Sequence, residues 1–255
     1  SLAVSLAKKY NLHTMFDLFY DQLPSRGEQW ALMLRTIKYV YECQTGETYI
    51  DLAKLLNGKN YYIATTNQDA QFYRVFPEER ITRIQGDWRY WQCSRQCHDK
   101  IYYNKEETFK LYEKIENDAL PDNLIPRCPH CGAELAPWVR SYTFLQGEFY
   151  RQEMKRYMEF LRSNAHRNTL FLELGVGMMT PMFIKEPFMN MVYQWPNAFY
   201  VTLNPQHAII PKEIKKKSLA ISDDIAITLK QLLGESTIGM KGFDAKEAFN
   251  PSRVY

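Results

Sequence analysis

Four of the five cysteines fall into two tight pairs, Cys93-x3-Cys97 and Cys128-x2-Cys131, and Gln85 stands before the first pair in Arg83-Ile84-Gln85-Gly86-Asp87. Two close pairs form two claws that a folded chain can bring together, and four thiolates suit the tetrahedral preference of zinc. The second claw, Cys128-Pro129-His130-Cys131-Gly132, looks like a zinc knuckle. With four protein ligands no position is left for water, so the expected metal is structural. His98 and His130 are spare, and either could replace a neighbouring cysteine. Four buried apolar thiols are the competing reading, which the pairing and the polar flanks disfavour. Cys43, inside an apolar run, reads as a core thiol.

Composition fits this chemistry. The chain has 255 residues, enough for one large domain with a small insertion. Its cysteines are grouped as ligands rather than spread as a disulfide framework. No apolar stretch approaches the roughly 20 residues of a membrane span, and no signal peptide opens the chain. A cytoplasmic protein without a membrane partner is expected. The formal charge of +3 is too small to argue for nucleic acid. Lys215 to Lys217 read as a solvated face, the rival reading being a contact with an acidic partner. The first residue is Ser1 rather than methionine, so a processed or incomplete start is expected.

These residues need elements to carry them. Amphipathic patterning predicts helices over residues 6–23, 27–42 and 48–56. At Asn60 the pattern changes to a β-prone run over residues 61–66 that ends in Asn67-Gln68-Asp69, as a buried parallel strand delivers side chains at its carboxyl end. Two more such strands are expected, one over residues 169–174 ending at Gly175-Val176-Gly177 and one over residues 198–203 ending at Asn204-Pro205. Helices over residues 148–161 and 223–233 complete the alternation. The fold class is α/β: a Rossmann-like, doubly wound parallel sheet over residues 60–87 and 137–255. An N-terminal helical module covers residues 1–59, and a small zinc-binding lobe over residues 88–136 is inserted. Gly175-x-Gly177 alone is no fingerprint, since turns carry glycine for backbone reasons.

The order of the pieces is more specific. Thr65-Thr66-Asn67-Gln68-Asp69, Ile84-Gln85-Gly86, the paired cysteines, Pro137-Trp138-Val139-Arg140, Gln146-Gly147-Glu148, then Gly175 and Asn204, resemble the sirtuin family from about residue 60 to 233. The resemblance implies NAD as co-substrate. Its strand-end motif places Asn67 beside the nicotinamide ribose and Asp69 against the carboxamide, with Thr66 also binding the cofactor. Gly175, Val176, Gly177 and Asn204 would hold the adenosine half, with Asp224-Ile225 beside the adenine. The glycine-rich phosphate loop that the resemblance places near the start is absent from these residues, and the rest of the site implies that it was removed or disordered.

One departure bears on the chemistry. Where sirtuins carry a histidine that takes a proton during deacylation, this sequence has Gln85. A glutamine amide can orient a hydroxyl but cannot carry a proton away at neutral pH. Losing a general base costs about 10²- to 10⁴-fold, whereas cleaving the nicotinamide bond and passing the ribosyl carbon to another nucleophile needs mainly positioning and charge stabilisation. Asn67 and Gln85 are the expected catalytic pair. Their bland readings are a capping residue after a strand and a turn residue. Gln71 and Arg74, just past the strand, read either as a solvated loop or as substrate contacts.

A sirtuin-like chain with this glutamine is similar to the macrodomain-linked class of microbial pathogens. That resemblance implies a protein mono-ADP-ribosyltransferase acting on a lipoylated carrier related to the glycine-cleavage H protein, in the oxidative stress response, with a partner macrodomain that removes the mark. The alternatives are an NAD-dependent deacylase using another base, simple NAD hydrolysis, or a non-enzymatic zinc-bearing interaction module.

Overall fold

The computed structural model describes residues 8–11 and 23–240; the helix expected over residues 6–23 lies for the most part outside them. Helix α1 (Arg26–Glu42) starts at Ser25, whose extended backbone and hydroxyl, accepting from the Glu28 N–H at 3.3 Å, form an N-cap. Residues 27–34 of this helix are all buried. Gly27 permits a close approach: its carbonyl accepts from the Leu120 N–H at 2.9 Å, and a Cβ there would stand 2.5 Å from the Leu120 oxygen. Helix α2 (Glu47–Leu56) follows directly. Strand β1 (Ile63–Thr65) is shorter than the sequence suggests at both ends; at its carboxyl end the Asn67 N–H turns back onto Thr65 Oγ1 at 2.9 Å and stops the strand before Thr66. Strand β2 (Ile81–Arg83) runs parallel to it, Thr65 beside Arg83.

Strand β3 (Gly86–Cys93) leaves this pair and enters an antiparallel sheet, between β4 (Ile101–Tyr103) and, after helix α3 (Lys105–Tyr112), β5 (Leu135–Val139). This is the cysteine-bearing lobe. Its core is shared with α1: Trp30, Leu34 and Ile37 pack with Trp91, Leu111, Leu120 and Leu135. Trp30 meets Trp91 edge to face with centroids 5.5 Å apart. Helix α1 is thus bound into the lobe, while α2 belongs to the other core, where Leu52 meets Ile63, Ile81 and Leu229.

Helix α4 (Glu148–Asn164) and strand β6 (Thr169–Leu174) come next, then α5 (Lys185–Gln194), β7 (Ala198–Leu203), β8 (Ser218–Ile221) and α6 (Ile225–Leu232). Strands β6, β7 and β8 form a parallel set in that order, Thr169 beside Ala198 and Leu174 beside Leu203. Asp224 caps α6 by accepting from the Ile227 N–H at 3.0 Å. Lys215 and Lys216 are exposed, but Lys217 reaches back to the Trp195 carbonyl at 2.9 Å and so satisfies the end of α5. The chain is therefore an α/β protein of parallel strands and helices with an inserted four-cysteine lobe. Among the described residues β1 and β6 share no ladder. They face each other across an apolar cleft of about 570 Å3, floored by Tyr157, Phe160 and Leu161, that runs to the carboxyl ends of both strands.

Arg83, at the end of β2, is buried and ties these pieces together. Its Nε donates to Glu153 Oε1 of α4 at 2.9 Å, and its backbone N–H donates to Glu153 Oε2 at 3.0 Å. Nη2 reaches Glu78 at 2.7 Å and Nη1 reaches Asp87 at 3.4 Å. Tyr73 and Phe149 sandwich the guanidinium, each ring centroid 4.6 Å from its carbon. Removing Glu153 takes the main acceptor from the buried guanidinium and from the Arg83 N–H and leaves Asp87 and Glu78 to meet the charge, which costs about 1.5–3 kcal/mol. Glu153→Ala is expected to lower unfolding stability by that amount in a urea titration; an unchanged midpoint would contradict this role for Arg83.

Candidate active site and metal centre

The four paired cysteines converge. Cys93 Sγ lies 3.6 Å from Cys131 Sγ, Cys97 Sγ lies 3.6 Å from Cys128 Sγ, and all four sulfurs fall within 4.8 Å of one another. Zinc–sulfur bonds of about 2.3 Å in a tetrahedron separate the sulfurs by about 3.8 Å, so the cluster fits that ion. The lobe builds the site from opposite sides: Cys93 ends β3, and Cys128 to Gly132 form a tight turn closed by Cys128 N–H to Ala133 O at 2.6 Å. Burial opposes ionisation of Cys93, yet backbone N–H groups of Cys97 and Arg95 and the neighbouring thiols outweigh it and lower its pKa, while the same thiol contacts raise that of Cys97. A thiolate is thereby available as a ligand. His98 stays outside the four sulfurs, its Nε2 3.4 Å from Cys128 Sγ and 2.6 Å from the Tyr102 hydroxyl.

The loop after β1 gathers the next group. Asp69 Oδ1 accepts from the Gln71 N–H at 3.0 Å, which starts a short 3-10 turn after Ala70 in the left-handed region. Asp69 Oδ2 accepts from the Tyr49 hydroxyl at 2.7 Å, and that hydroxyl accepts from Asn67 Nδ2 at 2.9 Å. Burial, reinforced by the Asp69 carboxylate, raises the Tyr49 phenol well above its ordinary range, so it stays protonated. Tyr49 sits in the first turn of α2, edge-on to Phe72 with centroids 4.8 Å apart. Sequence reasoning missed it, since an aromatic residue in an amphipathic helix signals core packing and nothing in its spacing marks Asn67 as a partner.

Gln71 and Arg74 are neither solvated loop nor free substrate contacts. Gln71 is buried, accepting from the Gly46 N–H and donating to Cys43 Sγ, both at 3.0 Å. Arg74 donates to the carbonyls of Val40 and Cys43 and so closes the end of α1. Both fasten the junction between α1 and α2.

Gln85 occupies the two-residue turn between β2 and β3, half buried. Its carbonyl accepts from the Arg140 N–H at 2.9 Å and from Gln68 Nε2 at 3.2 Å, and Arg140 Nη2 donates to the Ile84 carbonyl at 2.7 Å. The side-chain amide is left out of this backbone clamp. Gly86 makes the turn possible: its φ is +84°, and a Cβ would lie 2.0 Å from the Trp138 oxygen.

Across the cleft, Gly175 ends β6 with φ +72°, its N–H on the Leu203 carbonyl at 3.0 Å. Ile225 Cδ1 is 3.0 Å from where a Gly175 Cβ would stand. Asn204 Nδ2 donates to the Val176 carbonyl at 3.0 Å, while Asn204 Oδ1 accepts from the N–H groups of Gln206 and His207 at 2.9 Å. Gly177 stands in the open with no atom within 4 Å of a Cβ position. Thr66, Asn67, Gly175 and Val176 line the mouth of the cleft; Asp69, Gln85, Gly177, Asn204 and Ile225 do not line it directly. Beneath this side, buried Lys185 pairs with Glu173 at 2.8 Å and donates to the His207 carbonyl at 3.1 Å, which fixes the turn after β7.

Two outcomes follow from these geometries. Metal analysis of the purified protein is expected to find one zinc per chain, lost in Cys128→Ser together with a fall in thermal midpoint; equal metal content in the variant would contradict the ligand set. Gly86→Ala combines left-handed strain with overpacking and is expected to cost about 2–4 kcal/mol in urea unfolding. A variant as stable as the parent would show that the turn can relax.

No protein-family model matches the chain. It is 31% identical over 230 residues to a protein ADP-ribosyltransferase of Staphylococcus aureus (strain Mu50), a match covering 89% of this chain and 73% of that protein. It is 25% identical over 241 residues to a probable bifunctional ADP-ribose hydrolase/ADP-ribosyltransferase of Fusarium oxysporum f. sp. cubense, covering 88% of this chain but only 40% of that larger protein. With its α/β fold and four-cysteine lobe, the chain belongs to the family of the Staphylococcus protein ADP-ribosyltransferase, in keeping with the sirtuin-like order of its motifs.

Proposed function

We propose that this protein moves a single ADP-ribosyl group from NAD to a side chain of a partner protein and releases nicotinamide. The observation that carries this reading is Gln85: the turn beside the strand ends carries an amide where a deacylase needs a base. Among the described residues, His98 and His130 lie at the cysteine cluster, and no histidine hydrogen-bonds to Asn67, Asp69 or Gln85. The sites on both sides of the cleft suit a dinucleotide laid across the carboxyl ends of parallel strands.

In this reading Asp69 accepts from the nicotinamide carboxamide, Thr66 and Asn67 hold the adjoining ribose, and Gln85 faces the ribosyl carbon as positive charge develops. The bond from that carbon to the nicotinamide nitrogen breaks, its electron pair leaving with the ring. The acceptor side chain then forms the new bond and gives up its proton to solvent. No protein base is required. Gly175, Val176, Gly177, Asn204 and Ile225 bind the adenosine half. The cysteine lobe holds a structural zinc that supplies no chemistry. The favoured acceptor is a lipoylated carrier protein of the glycine-cleavage H type, in the cytoplasm, and the resemblance of the motifs supports it. The Fusarium relative is named for both a hydrolase and a transferase, which supports a functional link to an ADP-ribose hydrolase such as a macrodomain.

The test incubates the protein with NAD and carrier proteins, with and without lipoylation, and reads intact masses. One added ADP-ribose on the lipoylated carrier is expected, reduced at least about 100-fold by Asn67→Ala. Loss of an acyl group would establish deacylation instead, and no mass change on any acceptor, with no NAD binding, would favour the interaction module.

A further inference from the structure

The proposed catalytic residue Asn67 is exposed at the cleft mouth, where an asparagine on a loop would ordinarily sample both amide orientations. Here one contact removes that freedom. As a carboxylate Asp69 only accepts, so the single proton of the Tyr49 hydroxyl is committed to Asp69 Oδ2 at 2.7 Å. The phenolic oxygen can then only accept from its other neighbour, and the group that meets it at 2.9 Å must be the Asn67 amide nitrogen. The flipped amide would set two lone pairs against each other. Its orientation thus follows from the network.

We infer that Tyr49 is a positioning residue: held by Asp69, it fixes the Asn67 amide with nitrogen toward the phenol and carbonyl oxygen free to accept from a hydroxyl donor at the cleft. The inference rests on the transferase reading for its catalytic consequence and on geometry alone for the amide orientation. Tyr49 is well placed for this task. Its ring is edge-on to Phe72, and the start of α2 is tied to the Asp69 loop by Gln71, whose N–H binds Asp69 Oδ1 while its side-chain oxygen takes the Gly46 N–H. Two routes, through Tyr49 and through Gln71, join the helix to the loop. The Asn67–Tyr49–Asp69 chain therefore cannot lengthen without moving a helix.

The oriented carbonyl oxygen of Asn67 suits a hydroxyl donor at the cleft, and the ribose that the transferase reading places beside Asn67 supplies one. A substrate analogue lacking one hydroxyl should lose what Tyr49 provides.

The variant that isolates the phenolic oxygen is Tyr49→Phe, which keeps the ring on Phe72. In 15N relaxation of the full chain, the Asn67 side-chain NH2, identified by its loss in Asn67→Asp, is expected to have a high order parameter that falls below about 0.6 in Tyr49→Phe. Nicotinamide release is expected to fall about 10- to 100-fold in kcat, with KM for NAD changed less than about threefold and the thermal midpoint nearly constant. Asn67→Ala combined with Tyr49→Phe should be no slower than Asn67→Ala alone, since both act through one group. An unchanged amide order parameter, an unchanged kcat, or additive losses in the double variant would each overturn the inference. A parent protein that releases no nicotinamide would sink the transferase reading instead, and the amide relaxation would still decide whether Tyr49 orients Asn67.

Discussion

Arg83 sits where the parallel pair β1–β2, the start of the four-cysteine lobe and helix α4 meet. It is the last residue of β2, it is buried, and its charge is met by Glu153 from α4, Asp87 from β3 and Glu78 from the preceding turn. A guanidinium can hold this position because its planar fork offers five donors in fixed directions and its faces stack on rings, here Tyr73 and Phe149. Lysine could do neither. The consequence is local as well as global: two residues beyond Arg83 the chain must turn from the parallel pair into the lobe, and Gln85 sits in that turn. The buried ion cluster, the Arg140 clamp and the side-chain-free Gly86 together set where the Gln85 backbone lies.

The division of labour between the two cores follows from this. One core joins α1 to the antiparallel lobe through Trp30 and Trp91, and the other joins α2, β1, β2 and α6 through Leu52, Ile81 and Leu229. Gln71 and Arg74 fasten the short link between the helices to the loop after β1. The helices thus reach the strand ends from both cores, and Tyr49 comes to Asn67 and Asp69 by that route. The cysteine cluster lies in the lobe, and Ala70 of this loop packs into the same core as Cys93 and Cys128.

Much of this was legible in the residues, and the failures have physical reasons. The cysteine spacing led directly to four converging sulfurs, because ligand pairs carry their geometry in their spacing. Strands over residues 169–174 and 198–203 stand where β-prone runs ended in glycine or asparagine, and Asp224 caps α6 as its type suggests. β1 stops before Thr66 because the Thr65 hydroxyl captures a backbone N–H, a competition that β propensity does not register. Strand β8 went unseen since it is four residues long, lies at the edge of its set and follows a lysine run. Gln71 and Arg74 looked like surface residues by type, but tertiary contacts gave them backbone groups to satisfy. Tyr49 was out of reach for the same reason: its partners lie 18 and 20 residues away, and only the packing of α2 on the loop brings them together.

The central claim is that chemistry at the strand ends stops at transfer and does not proceed to acyl removal or to water. It is tested most directly by counting both products in one reaction: nicotinamide released from NAD, and ADP-ribose bound to the acceptor protein. Equal amounts of the two, with no acyl-ADP-ribose formed, are expected of a transferase that positions its substrates without a protein base. Nicotinamide in large excess over modified protein would mean that water is the acceptor, and acyl-ADP-ribose would mean that a base operates beside Gln85; either would contradict the account.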